Sequence, residues 1–342
     1  MQKKFLQILL VSLSLSIGGC SISTKKEEVV TEKHQEKKII PKYNVSDNYF
    51  KTVIPLNEQI LGGEINQATN SKLDVTAFEE GLFHIASKQF DRETHYLQRG
   101  EFISQKKIHE LLKKQEVPYV SNIIEHDYFT RKDAGELSLA GIIIGLAMTA
   151  DHSNEEAMTK ATEMSNHVLQ LIHSNKNFKN VPITFAVFKQ EPTTSIKPGV
   201  FISSTTVQQN EKNIAQWTSM HEQKFIYPSD EFQKAHDTDK KKLDEFNDAI
   251  SEFYKKDYYP VKAVVTYNNE KLDTLTLDTV IKFNGKSELL AYTQVVSESM
   301  LEKLPKDAKI QVTIKSEQQD EAVIVKEKNK EKPFVYFFEA KK

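Results

Sequence analysis

A single cysteine, Cys20, is the whole thiol content of this 342-residue chain. No intrachain disulfide can staple it, so every ordered part must be held by a packed core. At about 150 residues per domain the length has room for roughly two domains. A hydrophobic fraction of 39% is far too high for a wholly disordered chain. The fold therefore has to rest on apolar burial alone.

The position of that cysteine carries further information. Lys3 and Lys4 precede an apolar run over residues 5–17, which closes on Ile17-Gly18-Gly19-Cys20. The run is too short to span a bilayer, which takes about 20 apolar residues. Its basic-then-apolar order is that of a secretory signal peptide. Ile17, Gly18, Gly19 and Cys20 resemble a bacterial lipobox: an aliphatic residue and two small residues that fit a peptidase cleft, then the thiol that receives diacylglycerol. The motif predicts a signal peptide over 1–19, processing proteases as partners, cleavage between Gly19 and Cys20, and a lipidated Cys20. Two acyl chains, at about 0.8 kcal/mol per buried CH₂, would hold the chain on the outer face of the cytoplasmic membrane. Lipidation uses the only thiol, leaving no cysteine nucleophile and no thiolate metal ligand.

Residues 20–48 are predicted to be the lipidated cysteine and a disordered tether, polar and of mixed charge with no apolar periodicity. Globular pattern starts at Tyr49. Residues 49–54 read as a strand stopped by Pro55. Thr76 and Glu79 have capping-box spacing ahead of a helix with Phe78, Leu82, Ile85 and Ala86 on one side. Ile108, Leu111 and Leu112 mark a second helix. Residues 137–148 read as a buried strand, and Ser153 with Glu156 caps a long helix. Residues 181–189 and 200–203 read as strands, 210–221 and 238–256 as helices.

After Pro260 the period changes from helical to two. Residues 261–267 and the alternating Leu275, Leu277, Ile281 and Phe283 read as strands. Asn284-Gly285 reads as a type I′ hairpin with 289–296 returning. A short helix over 299–304 and strands at 310–314, 323–325 and 334–338 complete the pattern. Helices segregated from hairpins predict an α+β fold, with helices on mostly antiparallel sheets.

Several stretches approach catalytic motifs and lack a residue the mechanism requires. His109-Glu110-Leu111-Leu112-Lys113 begins like a helical zinc site, but Lys113 stands where the second imidazole must be. Gly285-Lys286-Ser287 resembles the end of a phosphate-binding loop, yet Val280 replaces the opening glycine and the expected context is a hairpin. Leu289 removes the last glycine of a nucleophile elbow around Ser287. Asp237-Thr238-Asp239 lacks the EF-hand glycine and glutamate. Glu125-His126-Asp127 is the densest titratable cluster, expected to be a solvated loop. Asp151-His152, His167 and His173 do not converge, and Trp217 reads as a core anchor.

No catalytic, metal or cofactor-binding residue is expected. A net charge of −2, with Arg92, Arg99 and Arg131 as the only arginines, argues against nucleic acid and against multiple phosphate clamps.

Along most of the mature chain the sequence resembles the CamS sex-pheromone lipoproteins of Gram-positive bacteria. The likeness is carried by residues 49–55 (YFKTVIP), 78–82 (FEEGL), 139–147 (LAGIIIGLA) and 188–190 with Pro198-Gly199. Further on it includes Tyr227-Pro228-Ser229, Tyr258-Tyr259-Pro260 and Phe283-Asn284-Gly285. The resemblance implies two repeat-like α+β halves, 49–180 and 181–342, on a surface lipoprotein. It also implies that a fragment released from the signal peptide acts as a mating pheromone on a peptide receptor. In the family prototypes the seven residues before the cysteine are strongly apolar. Here they are Leu13-Ser14-Leu15-Ser16-Ile17-Gly18-Gly19, so cross-activity with the prototype is not expected. A solute-binding lipoprotein of a transporter is the first alternative, disfavoured by the antiparallel ending. A wall-associated enzyme is the second, and it has no nameable catalyst.

Overall fold

Two β-sheets of the same connectivity, each with helices against it, make up the body of the chain. The computed structural model describes residues 38–56, 69–100, 102–132, 136–178, 180–254 and 258–339. The lipobox residues Ile17, Gly18, Gly19 and Cys20 lie outside them. From Lys38 onward the chain forms one unit.

The first sheet collects β1 (Lys51–Thr52), β2 (His95–Arg99), β3 (Val120–Arg131), β4 (Leu137–Met148), β5 (Ile183–Lys189), β6 (Val200–Val207) and β7 (Thr218–Ser219). Between them run α1 (Val75–Ala86), α2 (Gln105–Lys113) and α3 (Asn154–Ser174). The second sheet collects β8 (Glu222–Tyr227), β9 (Tyr258–Asn268), β10 (Lys271–Ile281), β11 (Lys309–Lys315), β12 (Asp320–Lys326) and β13 (Phe334–Phe337). Its helices are α4 (Asp230–Ala235), α5 (Asp237–Phe253) and α6 (Lys286–Lys303).

Neighbours in each sheet follow chain order. From β2 to β7 the pairings are antiparallel, antiparallel, parallel, antiparallel, antiparallel. From β8 to β13 they run the same way. In each of these six-strand runs the parallel pair is bridged by one long helix, α3 or α6, as a parallel connection requires, and β1 adds a second parallel pair with β2 at the edge of the first sheet. The α+β class is thus realised as a topological repeat.

The repeat does not divide at Asn180. The strand before that residue, β4, pairs with the strand after it, β5, over Ile142↔Ile183 to Met148↔Lys189. The change of sheet comes between Ser219 and Glu222. Residues 38–48, expected within the tether, belong to the folded unit, where Ile39 and Ile54 exchange both backbone hydrogen bonds at 2.9 Å. That bridge supplies partners to backbone groups that a solvated tether would leave to water.

Leu137–Met148 is a strand, as its uninterrupted apolar run predicts, with both faces buried at its centre. One face belongs to the core under α2 and α3, with Ile142, Ile144 and Leu146. The other, with Ile143 and Ala147, packs against Phe78, Leu82 and Ile85 of α1. The second sheet buries Val265, Tyr267, Leu275, Leu277, Ile310 and Val312 against Leu243, Phe246, Tyr292 and Val296 of α5 and α6.

Three local expectations are corrected. Residues 210–217 form no helix. Ile214 N–H donates to Asn166 Oδ1 at 3.2 Å and Trp217 Nε1 to Thr162 Oγ1 at 2.9 Å, which lays the segment over α3. Asn284-Gly285 starts α6 instead of turning a hairpin, so 289–296 is helical. The first helix is capped by Asp74, which accepts from Ala77 N–H at 2.9 Å, leaving Thr76 and Glu79 without a capping role.

Candidate functional site

Helix α1 has two working faces. Phe78, Leu82, Ile85 and Ala86 are buried, and the interleaved stripe Ala77, Glu80, Gly81 and His84 lines a cleft of about 520 Å³. These spacings of three and four place the four residues side by side.

The facing wall follows from strand parity. On β8 and β9 the odd-numbered Phe225, Tyr227, Val265 and Tyr267 enter the second core. The even-numbered Glu222, Lys224, Thr266 and Asn268 therefore emerge on the opposite face, where they line the cleft. Tyr49, Arg92, Asp273, Lys309, Glu327 and Lys328 add charge and hydrogen-bonding capacity around the rim. Phe83 and Met220 supply apolar surface, with the buried Phe201 behind them. A cleft of this size, partly apolar with convergent polar groups, is the usual form of a small-ligand site.

Most of its charges are matched internally. Lys224 Nζ lies 3.0 Å from Glu222 Oε1 and donates to Gly199 O at 2.9 Å. Lys328 pairs with Asp273, and Lys309 lies 3.7 Å from Glu327, which also accepts from Asn48 Nδ2 at 3.4 Å. Tyr49 O–H donates to Glu80 Oε1 at 2.6 Å, and that bond, with some burial, pushes the phenol pKa up to about 12. Arg92 differs from the rest: its Nε is buried and has no hydrogen-bond partner.

Beneath the cleft lies a second polar group. Glu125, His126 and Asp127 are not a solvated loop; they are buried in the middle of β3. Strand alternation still puts His126 on the face opposite Glu125 and Asp127. Glu125 accepts from Phe102 N–H at 2.7 Å and from Ile103 N–H at 2.8 Å, which ties down the entry to α2. His126 faces α1, with Nε2 3.7 Å from Glu79 Oε1 and its ring stacked on Phe83 at 5.2 Å. Arg99 Nη1 donates to the same Glu79 oxygen at 3.5 Å. Burial holds the His126 pKa below its ordinary value, and His126 with Arg99 holds Glu79 below the carboxylate range. Glu79, spaced like a cap residue in the sequence, thus belongs to a half-buried polar cluster around the buried His126.

The remaining candidates are dispersed. Lys113 is exposed at the end of α2, whose Glu110 pairs with Lys107 at 3.1 Å. His152 stacks on Tyr119 at 3.9 Å, and Asp151 accepts from Asn70 N–H at 3.2 Å. His167 and His173 are exposed on α3. Asp239 accepts from Tyr267 O–H at 2.8 Å. Gly285-Lys286-Ser287 does stand between a strand and a helix, contrary to the hairpin expectation. Val280 still occupies the glycine position, and Lys286 Nζ lies over the Phe337 ring at 4.2 Å. Among the described residues no three His, Cys, Asp or Glu side chains gather as a metal site, and no helix is long and apolar enough to cross a membrane. A larger groove of about 690 Å³ between α6 and β13, with Leu290, Leu301, Val335 and Phe337, is mainly apolar and offers little to select a ligand.

The cleft residues come from many separate segments, so no local motif marks them. The available signal was the polar alternation Glu222/Lys224 and Thr266/Asn268, together with the Glu80/His84 stripe on an otherwise apolar helix.

No curated protein matches the chain. Among solved structures, a sex pheromone staph-cAM373 precursor is 49% identical, covering 83% of this chain and 99% of its own at a TM-score of 0.52. A sex pheromone precursor from Lactobacillus salivarius shares the fold at TM-score 0.78 and 20% identity, covering 89% of this chain and 100% of its own. The C-terminal domain of the Staphylococcus aureus staph-cAM373 precursor does so at 0.67 and 22%, covering 78% and 97%. The family model described as CamS sex pheromone cAM373 precursor matches residues 61–118 and 113–332, and with that extent of agreement the chain belongs to the CamS family.

Proposed function

We propose that this protein is made as a precursor whose signal peptide, 1–19, is cut before Cys20. Its mature part is held by a diacylglycerol thioether on the outer face of the cytoplasmic membrane. The released signal peptide is the source of a pheromone-type peptide from residues 13–19, read by a peptide receptor on a responding cell. The folded part is a non-enzymatic binding module that works through the cleft between α1 and the second sheet. The observation that carries this reading is the Ile17-Gly18-Gly19-Cys20 junction ahead of a body matched to a pheromone-precursor family.

Metabolic palmitate labelling tests the anchor. The wild-type chain is expected to take up label, and Cys20→Ala to remain an unlabelled, uncleaved precursor. Label retained on Cys20→Ala refutes lipidation at this residue. Mass spectrometry of culture supernatant tests the peptide, with Leu-Ser-Leu-Ser-Ile-Gly-Gly as the fragment sought. The same synthetic peptide is expected not to induce clumping in responders to the apolar prototype. Induction at about nanomolar dose, the tight-binding regime, would reverse that expectation.

A solute receptor serving a transporter is the second reading, favoured by the cleft. Against it stands the sheet topology, with one parallel pair in each six-strand repeat where repeated βαβ units would give several. Unchanged uptake of any cleft ligand after deletion of the protein would remove it.

A further inference from the structure

We propose that the cleft takes an organic monocarboxylate, with the Arg92 guanidinium receiving the carboxylate and Phe83 and Met220 receiving the apolar body. The inference deepens the binding-module reading and rests on it.

The geometry points to this ligand through the state of the charges. Around the cleft Glu222, Asp273 and Glu327 are each within ion-pair distance of a lysine, and Glu80 is held by the Tyr49 hydroxyl. The three lysines are used in those pairs. Arg92 is the cation left over: no described acid lies within ion-pair distance, and its buried Nε makes no hydrogen bond. Burying a donor without a partner is unfavourable, more so when the group is charged, so this position favours an incoming acceptor. A guanidinium matches planar two-oxygen anions bidentately, which selects carboxylate or phosphate.

The surroundings discriminate between those two. Four carboxylates stand around the same cleft. Three of them are offset by lysines, which leaves Glu80 to balance Arg92 in a formally neutral lining; a monoanion then brings an excess of one negative charge and a dianion two, and the Coulomb cost of that excess scales with charge. The aromatic and thioether surface then favours an acid carried on an apolar body, such as an acylated amino acid or the C-terminus of a short peptide. A neutral sugar would leave Arg92 unmatched.

The test uses the full chain in detergent, titrated calorimetrically with N-acetyl-phenylalanine, its methyl ester and phenyl phosphate. The acid is expected to bind at least tenfold more tightly than the ester and more tightly than the phosphate. Arg92→Met is expected to lose at least tenfold for the acid and nothing for the ester, and Arg92→Lys to retain part of the affinity. Because Arg92 Nε holds no hydrogen bond to break and its unpartnered burial carries a cost, the urea midpoint of Arg92→Met should not fall below that of wild type. Equal binding of ester and acid, tighter binding of the phosphate, or wild-type affinity in Arg92→Met would overturn the proposal. So would failure of the acid to saturate by about 10 mM, below which binding is worth under roughly 3 kcal/mol. Thermal stabilisation by a neutral sugar or an amine in any of those cases would leave the binding-module reading standing and remove only the carboxylate.

Discussion

His126 and Glu79 meet at 3.7 Å across the interface between β3 and α1, with the imidazole stacked on Phe83 and otherwise enclosed. Burial keeps this histidine neutral by holding its pKa below the ordinary value of about 6.5, which outweighs the opposing pull of Glu79. As pH falls through that value the unfolded chain binds a proton that the folded chain refuses, so stability must decline. Glu79, held low by His126 and Arg99, adds a loss of the same sign further down, as pH falls below the carboxylate range toward its folded pKa. The urea midpoint is therefore expected to drop between pH 7 and pH 5, and to drop less in His126→Gln. Equal losses in the two proteins would show that His126 contributes nothing to the acid sensitivity.

The long crossover helix of the first repeat depends on its first turn. Ser153 Oγ accepts from Glu156 N–H at 3.2 Å while Glu156 Oε2 accepts from Ser153 N–H at 2.9 Å, a reciprocal capping box. Ser153→Ala removes one half of it and is expected to cost about 1 kcal/mol, as N-cap deletions do. Chemical denaturation reads this directly. A cost near zero would mean that water replaces the cap at this exposed site.

Tyr49 reports on the cleft from its rim. Its hydroxyl bond to Glu80, with partial burial and the nearby charge, pushes its pKa up to about 12. Glu80→Gln removes the charge and weakens the bond, so the Tyr49 phenol should then ionise closer to its ordinary value of about 10. The chain has 12 tyrosines, so the measurement is a difference titration at alkaline pH against Tyr49→Phe in each background. An unchanged Tyr49 titration in Glu80→Gln would show that burial, and not Glu80, sets the shift.

What the sequence made legible were features decided locally. The apolar run Leu137–Met148, the Ser153/Glu156 cap and the alternation of Ile310, Val312 and Ile314 each appear in the fold as patterned. Two misreadings have a common cause, in that tertiary contacts overrode local preference. Tyr292, Thr293, Val295 and Val296 favour strand by propensity, yet Leu289, Tyr292, Val296 and Met300 bury a helical stripe against the second sheet. Helix-forming residues at 210–217 are drawn into an extended path by side chains of α3. The cleft was illegible for another reason. Glu80, Arg92, Lys224 and Glu327 lie far apart in the chain, and only the stacking of α1 on the polar face of the second sheet brings them together.

The opposite face of α1, packed on the first sheet, has a tight point at Gly145 in β4. A Cβ placed there would lie 2.7 Å from Phe78 Cζ and 2.8 Å from Leu82 Cδ1, both on the buried face of α1. The position is closed because the two side chains fill the space a methyl group would need, and both are fully enclosed. Relief would require α1 to lift from the sheet or the Phe78 and Leu82 side chains to leave their rotamers, at about 1–3 kcal/mol for overpacking of this kind. Gly145→Ala is expected to lower the melting temperature by roughly 1.5 °C per kcal/mol lost, since an unfolding entropy of about 2.1 cal/mol/K per residue applies to the whole unit from Lys38 to Lys342. Because α1 also forms one wall of the cleft, the same substitution should weaken N-acetyl-phenylalanine binding while leaving Ser153→Ala as an equally destabilised control with full affinity. If Gly145→Ala melts as wild type does, α1 can shift without cost, and it is not the rigid wall that the cleft geometry requires.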